Sequence, residues 1–364
     1  MLCEKADRID ALLERIRASK TGSVKLMEVC GTHTMSIARS GLKRLLPDRI
    51  QLISGPGCPV CVTPAAVMDK ILELSARKDV IIASYGDMIR VPGSVPGDNL
   101  IRRRAQGAHV EIVYSPVDAL KLAQENPQRE VVFLGVGFET TAPGTAAAIA
   151  MAAEMELKNF SVLSMLKRVE PALRALIAAD GFDVQGLLCP GHVAVILGEK
   201  GFNFLAQDYA LPAVISGFEP EDILVSVYRL LKQIERRQPA LENTYSRAVS
   251  PEGNGAALRM MEEYLVPRDD TWRGLGRIGR SGLGVRREYA RFDAQERFGI
   301  AFPEAEGETA CRCGDVIRGR MAPADCPMFG KRCVPEDPVG PCMVSSEGAC
   351  AAAYKYGEVY PWKL

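Results

Sequence analysis

Glu28-Val-Cys-Gly-Thr-His-Thr34 is followed, about one strand-helix-strand length later, by Gly55-Pro-Gly-Cys-Pro-Val-Cys61. Each half follows a short apolar run, Lys25 to Val29 and then Gln51 to Ser54, and each leads through a glycine-bearing turn into a helical pattern. That order is the grammar of a βα unit, in which parallel strands are joined by crossover helices. The stretch also concentrates three of the eleven cysteines and one of the three histidines. A thiolate is a nucleophile and a soft metal ligand, and imidazole ligates iron, zinc or copper. The residues that announce the fold are therefore also the first candidates for chemistry.

The unit recurs outward from this stretch. Val80 to Ser84 and Val110 to Tyr114 complete a first series of apolar runs; Val131 to Gly135, Ser161 to Met165, Gly186 to Cys189 and Ala213 to Ser216 form a second. Starts lie roughly 25 to 30 residues apart, the length of a strand, a crossover helix and their turns. One continuous eight-stranded sheet competes with two lobes. The expectation is α/β with two small parallel-sheet lobes facing a cleft, because each series is long enough for a small domain. The lobes span residues 21–128 and 129–238. Before them, residues 1–20 carry a helix over Ala6 to Ser19 that packs on the body through Ile9, Leu12, Leu13 and Ile16.

A long helix after Pro220, to about Arg237, closes the second lobe. From Pro239 the composition changes: a turn over Ser250 to Gly255, a short helix to Leu265, and a Gly- and Arg-rich segment, Arg273 to Arg287, with little periodicity. That segment lacks the strand and Gly-Lys-Ser/Thr of a phosphate loop and reads as an irregular linker. Residues 239–364 are expected to form a C-terminal domain.

With 364 residues, 47% hydrophobic and 25% charged, the chain buries a large core and exceeds the usual span of one. Lys plus Arg equals Asp plus Glu at 45 each, so no field favours nucleic acid or an anionic membrane as partner. The first residues have no apolar signal core, and no run is long enough to span a bilayer. A cytoplasmic location is expected. There, an odd number of cysteines points to metal ligation or redox chemistry rather than to structural disulfides.

In parallel α/β sheets, ligands bind beyond the carboxyl ends of the strands. The unusual residues follow strands: Cys30 and His33 the first, Cys58 and Cys61 the second, Tyr85-Gly86-Asp87 the third, Glu139, Thr140 and Thr141 the fifth, His192 the seventh, and Gly217-Phe218-Glu219 the eighth. If the lobes face each other, these loops line one cleft. Cys58 and Cys61 precede a helical pattern, Pro64 to Ala76, whose N-terminus lowers thiol pKa. A redox dithiol, half of a zinc site and inert cysteines all remain open for that pair. Cys30 is a ligand, a nucleophile or a small buried hydrophobe. Glu139 with its threonines is a site group or a plain helix cap. His192 is a functional or a core residue, and His109, before its strand, is structural.

From Cys311 onward the chain holds Cys311, Cys313, Cys326, Cys333, Cys342 and Cys350 among prolines and glycines, with no histidine. Such a segment has little apolar content of its own, so a metal centre is the natural staple. All-thiolate ligation suits zinc or an iron-sulfur cluster; the spacings lack the paired knuckles of zinc ribbons and favour a cluster.

Together, Val29-Cys-Gly-Thr-His33, Gly55 to Cys61, Gly137-Phe-Glu-Thr-Thr141, Pro190-Gly-His192 and Gly340-Pro-Cys-Met-Val-Ser-Ser-Glu-Gly-Ala-Cys350 resemble the HypD family of hydrogenase maturation factors. The resemblance covers nearly the whole chain. It implies a scaffold on which the Fe(CN)2CO unit of [NiFe]-hydrogenase is assembled, in stable complex with HypC, receiving cyanide through HypE, itself supplied by HypF. It also implies two α/β lobes and a domain with a [4Fe-4S] cluster. By position, Cys30 would hold the iron together with the N-terminal cysteine of HypC, with His33 beside it. Cys58 and Cys61 would be a redox-active pair. The family's ligand spacing maps onto Cys311, Cys326, Cys333 and Cys350, leaving Cys313 and Cys342 as extra thiols. Glu139, Thr140, Thr141 and His192 would hydrogen-bond or protonate bound cyanide. Such a chain is a scaffold with redox activity rather than a conventional turnover enzyme. The rival readings are a free-standing iron-sulfur thiol/disulfide oxidoreductase and a zinc-stapled interaction protein.

Overall fold

The structure, a computed structural model, describes residues 2–302, 304 and 310–357; residues 358–364 and part of the 303–309 stretch of the expected C-terminal domain lie outside the described residues, as does residue 1 of the N-terminal helix. All eight apolar runs become strands: β1 (Val24–Glu28), β2 (Ile50–Ser54), β3 (Val80–Ser84), β4 (His109–Ile112), β5 (Glu130–Gly137), β6 (Phe160–Lys167), β7 (Gly186–Pro190) and β8 (Ala213–Ser216). They are followed by β9 (Leu241–Asn243), β10 (Leu265–Trp272) and β11 (Gly276–Val285). Two sheets result, one of five strands in the order β2-β1-β7-β8-β9 and one of six in the order β10-β11-β6-β5-β3-β4. The first sheet is parallel throughout, with Val24 opposite Ile50, Met27 opposite Leu187 and Leu188 opposite Val214. In the second, β4, β3, β5 and β6 are parallel, and the β10–β11 hairpin joins β6 antiparallel.

The sheets are not the two sequence series. After β2 the chain crosses to the other sheet, builds β3 to β6, and returns for β7 and β8. The division at residues 128 and 129 is therefore corrected, because strand spacing reports only that crossover units exist and not which neighbour each strand pairs with. The expected C-terminal domain is also shorter at its start. Leu241–Asn243 adds an edge to the first sheet, the helix Gly255–Tyr264 packs on the helix Ala142–Glu154, and the hairpin completes the second sheet.

Period-two alternation places the core. On the first sheet, Leu26, Leu188 and Val214 face outward to Ile223, Val227 and Leu230 of the helix Pro220–Arg236, against which the helix Leu2–Arg17 packs with Leu13 and Ile16. Their neighbours Met27, Leu187 and Ile215 face inward and share one core with Val132, Leu134 and Val136 of the second sheet. The intervening Val131 and Phe133 meet Ile149 and Phe160 on the far side. Both faces of the central strands are buried, which explains their near-continuous apolar runs.

The segment read as a linker is a hairpin because its polar groups are satisfied by pairing. Lys167 Nζ, buried in β6, reaches Asp270 at 2.7 Å and donates to Thr271 O at 2.8 Å. Trp272 Nε1 donates to Ser281 Oγ at 2.8 Å, and Ser164 Oγ to Leu283 O at 2.5 Å. Polar residues on inward positions erase the alternation that marks a strand. Asp270→Ala leaves a buried ammonium without its carboxylate and is expected to cost about 3–5 kcal/mol by denaturant unfolding, whereas Lys167→Met with Asp270→Leu recovers most of that loss.

Candidate functional site

In a parallel sheet the crevice opens where the strand order reverses. The first sheet reverses between β1 and β7, the second between β3 and β5. Both reversals open on one cavity of about 570 Å³. Cys30 and Thr32 reach it from the loop after β1, His192 from the loop after β7, Tyr85 and Asp87 after β3, and Thr140 and Thr141 after β5. Val29, Val60, Val136, Phe138 and Val193 supply an apolar lining. Tyr114, 92% exposed, stands at the rim.

Cys30 is the N-cap of the helix Gly31–Arg39 and is only 7% exposed. Its position is fixed by two interlocked turns. Gly55 N–H donates to Glu28 O at 2.7 Å and Gly31 N–H to Gly57 O at 3.0 Å. A Cβ on Gly57 would lie 2.2 Å from Cys30 N, so the turn after β2 approaches as only glycine permits. Burial, and then the Glu347 carboxylate, push the Cys30 thiol up to about 12. The thiol is therefore protonated at neutral pH.

Two carboxyls the sequence reading left out frame this cysteine. Glu28 is buried beneath it, accepting from Cys30 N–H at 3.2 Å and Thr34 Oγ at 2.5 Å, and burial raises its pKa to about 7. Glu347 lines the cavity, accepts from Thr32 Oγ at 2.7 Å, and is raised by burial. It packs so closely that a Cβ on Gly31 would lie 2.4 Å from Glu347 Cβ. The residues before it are tied to the second sheet, since Asp87 Oδ2 accepts from Ser345 Oγ and from Ser346 N–H and Oγ at 3.0 to 3.2 Å. The signal was present in the sequence: Glu347 lies inside the Gly340 to Cys350 motif, and Asp87 in a glycine-bearing loop after a strand. Nothing in the spacing says that those two loops meet.

The remaining candidates fall into a second layer. His33 does not line the cavity. It is fully buried, its Nε2 bonds Gly217 O at 2.9 Å, and its Nδ1 finds no partner among the described residues. Burial lowers its pKa to about 4, so the ring is neutral and Nε2–H donates. Phe218 is stacked between His33 and His192, with centroids 4.7 and 3.9 Å away. Glu139 also turns from the cavity: one oxygen accepts from Val169 N–H at 2.9 Å, capping the helix Val169–Ile177, and the other has no partner among the described residues. Burial raises it to about 7. His109 starts β4 beside Arg129, away from these loops.

Cys58 and Cys61 are joined as a disulfide with Cα atoms 5.2 Å apart, in a turn just ahead of the helix Ala65–Ser75. Pro59 and Val60 between them form cavity wall. Cys311, Cys313, Cys326, Cys333 and Cys350 line a separate small void of about 20 Å³ together with Val316, Met328, Phe329 and Val339. A chain of sulfur contacts runs from Cys311 through Cys313 and Cys342 to Cys350. Among the described residues no three His, Cys, Asp or Glu side chains share a position for a single metal ion. Thiols gathered around one apolar pocket are the soft donor set that an iron-sulfur cluster or zinc takes.

A family model named HypD, described as the hydrogenase formation hypA family, matches residues 7–357. The hydrogenase maturation factor HypD of Rhodobacter capsulatus is 46% identical over 357 residues, covering 96% of this chain and 93% of that protein. The HypD proteins of Cupriavidus necator and Escherichia coli are each 42% identical, over 97% and 98% of this chain and 95% and 93% of theirs. Among the described residues no helix is long and apolar enough to cross a membrane.

Because the folded Glu28 carboxyl titrates near 7 and the unfolded one near 4.5, the unfolded state loses its proton first as pH rises. The wild-type chain thus loses stability between about pH 4.5 and 7 on this account, and Glu28→Gln does not. The difference in unfolding free energy, variant minus wild type, is expected to rise by up to about 3 kcal/mol across that window, as read from denaturant titrations at several pH values. The opposite contribution of His33 is common to both proteins and cancels. A flat difference would contradict the burial of a titrating Glu28.

Proposed function

The chain belongs to the HypD family of hydrogenase maturation factors, and we propose that it is the scaffold on which the Fe(CN)2CO unit of [NiFe]-hydrogenase is assembled, with Cys30 as the anchoring thiol. One observation carries this reading: Cys30 lies on the wall of the cavity to which the switch points of both sheets open. Low-spin iron bearing CO and cyanide needs soft ligation and exclusion of water. The Cys30 thiolate supplies the first, and the apolar lining the second. In this reading Thr140 and His192, which line the cavity, donate hydrogen bonds to cyanide nitrogens, and Thr141, whose hydroxyl donates to Phe138 O at 3.2 Å, shapes the wall beside them. Glu347, beside Cys30, is a candidate acceptor for the proton the thiol gives up. HypC is the stable partner in this reading, bringing its N-terminal cysteine to the same iron. HypE is the transient cyanide donor, supplied in turn by HypF. His33 and Glu139 act from behind the wall, orienting the Phe218 stack and the helix that follows β6.

In this reading Cys311, Cys326, Cys333 and Cys350 hold a [4Fe-4S] cluster, which when bound supplies one-electron chemistry. Cys58 and Cys61 store two electrons and two protons as a dithiol. Cys313 and Cys342 stand beside the quartet as further thiols.

The decisive experiment is infrared spectroscopy of the chain purified without oxygen from cells that express the other maturation factors, compared with Cys30→Ala. Sharp bands in the cyanide and CO stretching region are expected in the wild type and absent in the variant, which keeps its dithiol. A wild-type chain that brings HypC with it but shows no bands would sink the scaffold reading in favour of an oxidoreductase that tolerates Cys30→Ala. For the second centre, replacing any one of Cys311, Cys326, Cys333 and Cys350 by Ala is expected to abolish the visible absorption of the anaerobic protein, and Cys342→Ala to retain it. Stoichiometric zinc without acid-labile sulfide would support the zinc-stapled alternative.

A further inference from the structure

The tip of the β10–β11 hairpin is where the cavity wall, the Cys58–Cys61 turn and the cysteine-rich segment meet. Trp272, fully buried, stacks on Phe138 of the cavity wall with ring centroids 5.9 Å apart. Arg273, the next residue, is only 2% exposed. Its backbone N–H donates to Val62 O at 2.8 Å and its Nε to Thr63 O at 3.0 Å, so it grips the two residues that follow Cys61. The same guanidinium hydrogen-bonds the Cys313 side chain and acts electrostatically on Cys311. Gly274 extends the contact: a Cβ there would lie 2.4 Å from Gly314 Cα, so the hairpin tip abuts the backbone just after Cys313.

Arginine suits this place. Its planar fork donates to a carbonyl on one edge while facing sulfur on the other, and its charge is permanent; lysine has one compact donor group on a flexible stem. Burying a guanidinium is costly unless its donors are satisfied, and here the turn and the thiols provide partners. A fixed positive charge beside a centre that gains negative charge on reduction favours the reduced form, the more so in a dry interior.

We propose that Arg273 is a positioning residue that locks the Cys58–Cys61 turn to the Cys311–Cys313 segment and supplies the fixed positive charge beside the cysteine-rich centre. The charge effect rests on the cluster reading above; the lock does not.

The test compares full-length wild type, R273K and R273Q, each loaded anaerobically with ferrous iron and sulfide. At a fixed applied potential, R273Q is expected to show an about tenfold lower ratio of reduced to oxidised cluster, equivalent to about 59 mV for a one-electron couple. R273K keeps the charge and is expected to stay within threefold of wild type. Amide exchange across Cys58 to Pro64 is expected to quicken at least tenfold in both variants, since neither reproduces the fork. A wild-type ratio in R273Q, or unaccelerated exchange in R273K, overturns the proposal. Should R273Q fail to fold, R273K decides alone: a near-wild-type ratio with accelerated exchange supports the assignment, and a tenfold fall despite the retained charge overturns it. If the wild type takes up no iron-sulfur cluster, it is the reading of the centre that fails, and exchange in unloaded R273K still decides the lock.

Discussion

The chain crosses between its two sheets after β2, after β6 and again after β9, and the site depends on the first two crossings. A single excursion puts β3 to β6 into one sheet and leaves β1, β2, β7 and β8 in the other. Each sheet thereby acquires a reversal of strand order, and the shared inner core of Met27, Leu187, Val132 and Leu134 holds the two reversals together. Loops that are far apart in sequence then converge without any of them being long. A cavity made this way is walled by strand ends and helix starts, which hold side chains more firmly than free loops do.

Burial sets the chemistry of that cavity. Among the described residues no Lys or Arg side chain lines it, and desolvation drives the Cys30 thiol and the Glu347 carboxyl on its wall, and the Glu28 carboxyl and His33 imidazole behind it, toward their neutral forms.

The C-terminal segment is stitched to both sheets. Ser345 and Ser346 bind Asp87 of the second sheet, and Glu347 binds Thr32 beside the first. These residues lie between Cys342 and Cys350, so one short loop carries both the cavity wall and the cysteine-rich centre. The hairpin tip at Arg273 makes the second link, from Cys313 to the turn of Cys58 and Cys61. The cysteine-rich segment is thus mechanically joined to the cavity.

The strands, their parallel character, the N-terminal helix and the location of candidate residues at strand carboxyl ends were legible in the sequence. Each is a local property: apolar runs, glycine turns and helical periodicity act within a few residues of themselves. The grouping of strands was not legible, because Val80 to Ser84 would pair equally well on spacing alone with β2 or with a strand far ahead. The hairpin was hidden since Lys167, Asp270, Ser281 and Trp272 satisfy one another only once folded. Cys30, Thr140, Thr141, His192 and the Asp87 of the third loop line the cavity, whereas Glu139 and His33 turn behind it; Glu347, which lines it, and Glu28, buried beneath Cys30, lay outside the expected set. Sequence by itself determined which elements form and which residue types the chemistry can draw on. Tertiary structure alone decided which of them meet, because contact between distant loops and the desolvation that shifts their protonation exist only when the two sheets close on one core.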